Sequence, residues 1–332
     1  MSRVIKDWLA IKLSAEPVLL LGNGASRAID NDAFNYESLL SRAKLSSESN
    51  SVFELIGHSD FEQVLFRLEI TKETNQALKL EDDITVRHID EIRNGLVRAV
   101  RSIHPTQGVS PDDATSANAI RFLSHFKGIF TLNYDFFLYW LINKANQSET
   151  RSRYFKDGFW DGGKFDFSNK HRLELEREGL PATVCYYMHG ALQLVDEPEQ
   201  KLFLSSYDEL KKTKLTDKIQ AAWANGRRPL FVSEGKSSLK LRRIETSVYL
   251  RHAFEEFKRL IKQKDLVIYG ASLSEQDQHL VDAINDSEPK NVFVSLHNPE
   301  GVEDPRLKEW EKKITSSSVY FFNVSSNGAW IY

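Results

Sequence analysis

Five short apolar runs, each bounded by turn or polar residues, constrain this chain more than any other feature. They are "PVLLL" (17–21), "KGIFTL" (127–132), "TVCYYM" (183–188), "DLVIYG" (265–270) and "NVFVSL" (291–296). Each is too short to stand as a helix, so each reads as a buried strand. "PLFVS" (229–233) and "VYFFNV" (319–324) extend the set. Between them lie segments with helical apolar spacing, among them "DFEQVLFRLEITKETNQALKL", "VRHIDEIRNGLVRAVRSI", "TSVYLRHAFEEFKRLIKQ" and "SEQDQHLVDAIND". Strands alternating with helices predict an α/β fold, a mostly parallel sheet with helices on both faces.

The first and second runs are separated by about a hundred residues without another clear strand. The sequence therefore predicts one α/β domain over 1–332 with a helical insertion or cap over 33–125. A second irregular stretch, "RSRYFKDGFWDGGKFDFSNK" (151–170), mixes glycine and aromatic residues and suits either an ordered loop over a site or a packed surface loop.

Forty-four basic against 47 acidic residues give a formal net charge of −3, which offers no general attraction to nucleic acid or acidic membranes. The basic stretch "KSSLKLRRIETSVYLRHAFEEFKRLIKQK" (236–264) reads as a solvated amphipathic helix with its entry loop, because Glu245, Glu255 and Glu256 interrupt the charge. The single cysteine, Cys185, excludes an internal disulfide and a Cys-rich zinc site. No signal-peptide pattern opens the sequence, and the apolar run at 17–21 is too short to span a bilayer, so a cytoplasmic protein is expected.

Polar residues gather where the strands end. In "LLLGNGAS", Gly22 and Gly24 leave the first strand where a tight turn and a close backbone approach to a diphosphate are needed, and Ser26 supplies a hydroxyl or a helix cap. Arg27 stands where the dinucleotide fingerprint G-x-G-x-x-G has its third glycine, so a standard dehydrogenase turn is disfavoured. "FTLNYDFFLYW" delivers Asn133 and Asp135 to the carboxyl end of a strand; Asp135 also fits as a plain helix cap. "YYMHGALQL" places His189 before a glycine, as an acid–base group or a structural histidine. "VIYGASLSEQDQHL" offers Gly270, Ala271 and Ser272, "VSLHNPE" offers His297 and Asn298, and "FVSEGKS" adds Glu234 as a supplementary candidate. Together these turns outline a crevice.

In this order the motifs resemble the sirtuin (SIR2-like) superfamily: "GNGAS" its Gly-Ala-Gly-x-Ser turn, "TLNYD" its Thr-Gln-Asn-x-Asp, "MHG" its His-Gly, "GASL" its Gly-Thr-Ser and "LHN" its strand-terminal Asn. More closely, "LLLGNGAS", "FNYESLL", "FTLNYDFFLYW", "MHGALQL", "PLFVSEGKSSLKLRRI" and "YGASLSEQDQHL" resemble the DUF4917 family, a SIR2-like group, from about 17 to 298. The resemblance implies a Rossmann-like sheet that binds NAD. Gly22, Gly24, Ala25 and Ser26 would surround the diphosphate and its ribose, with Gly270 and Ser272 nearby, Asn298 toward the adenosine ribose and Asp135 beside the nicotinamide ribose. Asn133 would be catalytic beside the same ribose, and His189 would be the catalytic base or the residue that orients the ribose.

The resemblance has limits that narrow it. The four-cysteine zinc module of protein-deacylating sirtuins is missing, so no metal is expected, and "AIDNDAFNY" replaces their Gly-Ile-Pro-Asp-Phe-Arg stretch. What remains implied is an NAD hydrolase of the kind found in bacterial antiphage defence, restrained by homo-oligomerisation or a regulatory protein partner. The alternative from another class is a non-catalytic sensor of NAD or ADP-ribose.

Overall fold

The computed structural model describes residues 4–332 except 35, 58, 104–112, 160–162, 166, 168–172, 196–199, 202–214, 226, 228 and 233–235. Its strands are Ile5–Lys6 (β1), Val18–Leu21 (β2), Gly128–Thr131 (β3), Tyr154–Lys156 (β4), Ala182–Tyr187 (β5), Gly190–Val195 (β6), Gln200–Lys201 (β7), Pro229–Phe231 (β8), Asp265–Tyr269 (β9), Asn291–Leu296 (β10) and Ser318–Asn323 (β11). Eight of them form one sheet in the order β1-β11-β10-β9-β2-β3-β5-β4, with every pair parallel.

All residues of β2, β3, β5 and β9 are buried, so the centre of the sheet is covered on both faces. That is why these strands read as uninterrupted apolar runs. The chain leaves β2 toward β3 on one side and later returns to β9 on the other. The strand order therefore reverses between β2 and β9, where open α/β sheets form a crevice beyond their carboxyl ends.

"PLFVS" is a strand but not of this sheet. Gly190 has φ +78°, and a Cβ there would lie 1.8 Å from the Leu230 carbonyl oxygen, so only glycine lets the chain turn out of β5 and run against β8. β6, β7 and β8 make a small antiparallel sheet in the order β7-β6-β8.

Between β2 and β3 come Asn23–Ile29 (α1), Asn31–Phe34 (α2), Tyr36–Ala43 (α3), Ser47–Ile56 (α4), Phe61–Ala77 (α5), Asp83–Ile103 (α6) and Asp113–Leu123 (α7). The helices α3 to α6 share a core of Leu39, Ala43, Phe53, Phe61, Val64, Leu65, Ile89, Ile92 and Ala99. This core continues into Phe136 and Tyr139 at Phe137–Gln147 (α8) and into Leu192 of β6. Helix α7 instead packs Ala119, Phe122 and Leu123 into the core of the large sheet.

The basic stretch at 236–264 departs from the expected single solvated helix. It forms two helices, Ser237–Thr246 and Val248–Ile261, divided at Ser247, whose hydroxyl caps the second by accepting from Leu250 N at 3.1 Å. Lys240, on the first, is fully buried. Among the described residues no helix is long and apolar enough to cross a membrane.

Candidate functional site

At the switch point the turns after β2 and β9 cross in contact. Gly22 N donates to Tyr269 O at 2.9 Å and Gly24 N to Gly270 O at 2.8 Å. A Cβ on Gly22 would lie 2.6 Å from the Ala271 Cβ, and one on Gly24 2.7 Å from the Gly270 Cα. The close approach these glycines permit is thus between two strand-end turns. The Ala25 amide is also engaged, donating to Gly22 O at 3.0 Å. From behind, the buried Trp330 indole donates to Ala25 O at 2.9 Å, so the chain's last residues brace the first turn.

Ser26 is buried and joins this turn to the one after β3. Its hydroxyl donates to Asp135 Oδ2 and accepts from Asn133 Nδ2 at 2.9 Å. Asn133 Nδ2 also donates to Gly22 O at 3.0 Å. A carbonyl only accepts, so the amide nitrogen must face Gly22 and the amide oxygen is left for other partners. Asp135 Oδ1 accepts from Phe137 N at 2.9 Å, which ties it to the first amide of α8 as well as to Ser26. Burial raises the Asp135 carboxyl above its ordinary range, outweighing those two donated bonds.

His189 follows β5, buried at 2% exposure, and its backbone carbonyl accepts from Val232 N at 2.9 Å. Its ring lies against that of His279, centroids 5.8 Å apart. Lys240 Nζ lies 3.0 Å from Asp277 Oδ1 in the same cluster. Burial, then the Lys240 charge, hold His189 well below its ordinary value, with Asp277 pulling the other way. His279 is brought down to about 4, chiefly by burial. Burial would raise Asp277, but the Lys240 ammonium takes it below the ordinary carboxylate value. His189 Nε2 is buried without a partner among the described residues.

Asn133, Asp135, His189 and Asp277 border a cavity of about 900 Å³ beyond the carboxyl ends of the strands. That is large for a small-molecule site, for which roughly 300–1,000 Å³ is usual. Of the residues singled out in the sequence, Gly22, Gly24, Asn133, Asp135, His189, Gly270, Ala271, Ser272 and His297 line it. Ala25 and Ser26 are buried behind the first turn. Asn298 is exposed, at φ +42°, away from the cavity lining, and its carbonyl accepts from Arg306 Nη2 at 3.3 Å. Glu234 and part of 151–170 lie outside the described residues.

The insertion is part of the wall. Leu39, Asp60, Phe61, Gln63 and Leu96 border the cavity, and Asn23 Nδ2 donates to Phe34 O at 3.3 Å, tying α2 to the first turn. Sequence reasoning missed Lys240, Asp277 and His279. The signal that could have found the last two is "EQDQH" beyond a strand-end glycine; nothing in the charge pattern marks Lys240 as buried.

The family described as a domain of unknown function, DUF4917, matches residues 19–330, and the chain belongs to it. No curated protein matches this chain.

Proposed function

We propose that this DUF4917 protein binds NAD in the cavity at the switch point and hydrolyses it to nicotinamide and ADP-ribose. The observation that carries the reading is the large cavity at the switch point, which His189 and Asn133 both border, with the buried Nε2 of His189 left without a partner among the described residues. Both SIR2-like descent and the NAD substrate come from the motif resemblance.

The chemistry asks little of the protein in charge. The C1′–N bond breaks with both electrons leaving on nicotinamide, and water bonds to C1′ and gives up a proton. His189 is neutral near pH 7, so it can accept a hydrogen bond from a ribose hydroxyl or from the attacking water, whose proton passes on to solvent because burial makes the ring a weak base. Asn133, its nitrogen already committed to Gly22 and Ser26, offers its amide oxygen to the attacking water or to a hydroxyl. Ser26 and Asp135 keep that oxygen in place, which contributes through positioning. Unrestrained NAD loss is toxic, so the proposal includes control by self-association or a regulatory partner, in keeping with an antiphage role in the cytoplasm.

A sensor that binds NAD or ADP-ribose without turnover is the second reading. It draws on the structural engagement of Asn133 and Asp135 in holding the first turn, with both carboxylate oxygens of Asp135 already taken. Incubating NAD with wild type, Asn133→Ala and His189→Ala, with products resolved by chromatography and binding followed by calorimetry, separates the two. Equimolar nicotinamide and ADP-ribose from wild type alone supports the enzyme; NAD bound and recovered intact supports the sensor.

A further inference from the structure

Beneath His189 the fold buries a lysine. Lys240 has no exposed surface, a place lysine takes only when its charge is matched, and Asp277 matches it at 3.0 Å. Asp277 borders the cavity beside His189, and two residues further on His279 lies against the His189 ring. Ser237, on the same helix as Lys240, holds His279 in two ways. Its Oγ accepts from the His279 backbone N at 2.8 Å and lies 3.0 Å from Nδ1. The Nε2 atoms of both histidines are buried and have no partner among the described residues.

A buried ion pair is a weak source of stability compared with apolar groups of the same size. The placement of this one, close enough to act on both histidines and with Asp277 at the cavity wall, points to another use. We infer that Lys240 and Asp277 are positioning residues, whose ion pair fixes the His189–His279 wall and sets the electrostatic surroundings in which His189 meets a ligand in the cavity. This rests on the reading that His189 meets the ligand, but the charge on the ring is measurable with no ligand present.

The charged and titratable groups acting on His189 are Lys240 from the helix Ser237–Thr246, and Asp277 and His279 from the turn and helix after β9. Lys240 disfavours a proton on the ring and Asp277 favours it, with the lysine the stronger. Removing them separately must therefore move the ring in opposite senses. A pair too far from the ring to act on it would not.

The test is a histidine-ring NMR titration of the full chain as wild type, Lys240→Met, Asp277→Asn and the double variant, which removes both charges together. Lys240→Met is expected to move the His189 midpoint upward by about one pH unit or more. The double variant moves it upward by less, and Asp277→Asn does not raise it. A midpoint that stays at the wild-type value in folded Lys240→Met and in the double variant overturns the inference. NAD cleavage measured in parallel keeps the two claims apart. A moved midpoint in a protein that leaves NAD intact sinks the hydrolase reading alone, and cleavage by wild type with unmoved midpoints sinks this inference alone.

Discussion

Ser26 and Asp135, 109 residues apart in the chain, share a buried hydrogen bond that joins the turn after β2 to the start of α8. Replacing Asp135 with alanine removes the acceptor of the Phe137 amide and of the Ser26 hydroxyl. We expect Asp135→Ala to cost about 1–3 kcal/mol in urea unfolding followed by tryptophan fluorescence. A midpoint equal to wild type would show that the network is dispensable. The pH dependence has a definite sign. Burial raises this carboxyl in the folded state, so its contribution is full below the unfolded carboxylate value and is lost as pH rises through the folded one. Asp135→Asn removes that slope.

Gly270 has φ +69°, and a Cβ there would sit 2.6 Å from Ala25 N. Alanine at this position meets both left-handed backbone strain and a backbone clash. Gly270→Ala is expected to lose about 2 kcal/mol or more and to weaken any ligand of the crevice. Thermal unfolding beside calorimetry checks it, and unchanged values in both contradict the crossing of the two turns.

His279 is held down to about 4 from 6.5 by burial, and His189 is lowered well below the same value. The unfolded chain binds these protons first, so their stability contribution is present above pH 6.5 and is lost as pH falls through the folded values. Each histidine adds roughly 1.4 kcal/mol per pH unit to the acid slope while only the unfolded state is protonated. Urea unfolding at stepped pH should show that slope, and His279→Gln should reduce it; an identical slope in the variant contradicts the burial argument.

Phe61, 2% exposed, belongs both to the core of the insertion and to the cavity wall. Phe61→Ala should cost about 3–5 kcal/mol and reduce ligand affinity as well. Loss of stability with affinity unchanged would place the insertion's role in folding alone.

The sheet was legible because each central strand is buried on both faces and so shows as a short apolar run, from Val18–Leu21 to Asn291–Leu296. The crevice was legible for a related reason: strand ends carry glycine and polar residues in sequence, and the topology then gathers them. Short β4, partnered only at its edge, carried too little pattern to notice. Whether "PLFVS" joined the large sheet or a small one depended on a single positive φ at Gly190, which periodicity does not register. Lys240 was hidden for a deeper reason. Its burial depends on Asp277, 37 positions away, and a lysine among Arg242 and Arg243 looks solvated until the partner is placed.

The most direct test of the central claim is the mass of ADP-ribose formed by the wild-type protein from NAD in ¹⁸O-labelled water, with nicotinamide quantified in the same sample. Hydrolysis in the cavity predicts one ¹⁸O in each ADP-ribose and one nicotinamide released with it. NAD that stays intact with every assembly state of the protein, and shows no binding by calorimetry, contradicts the account.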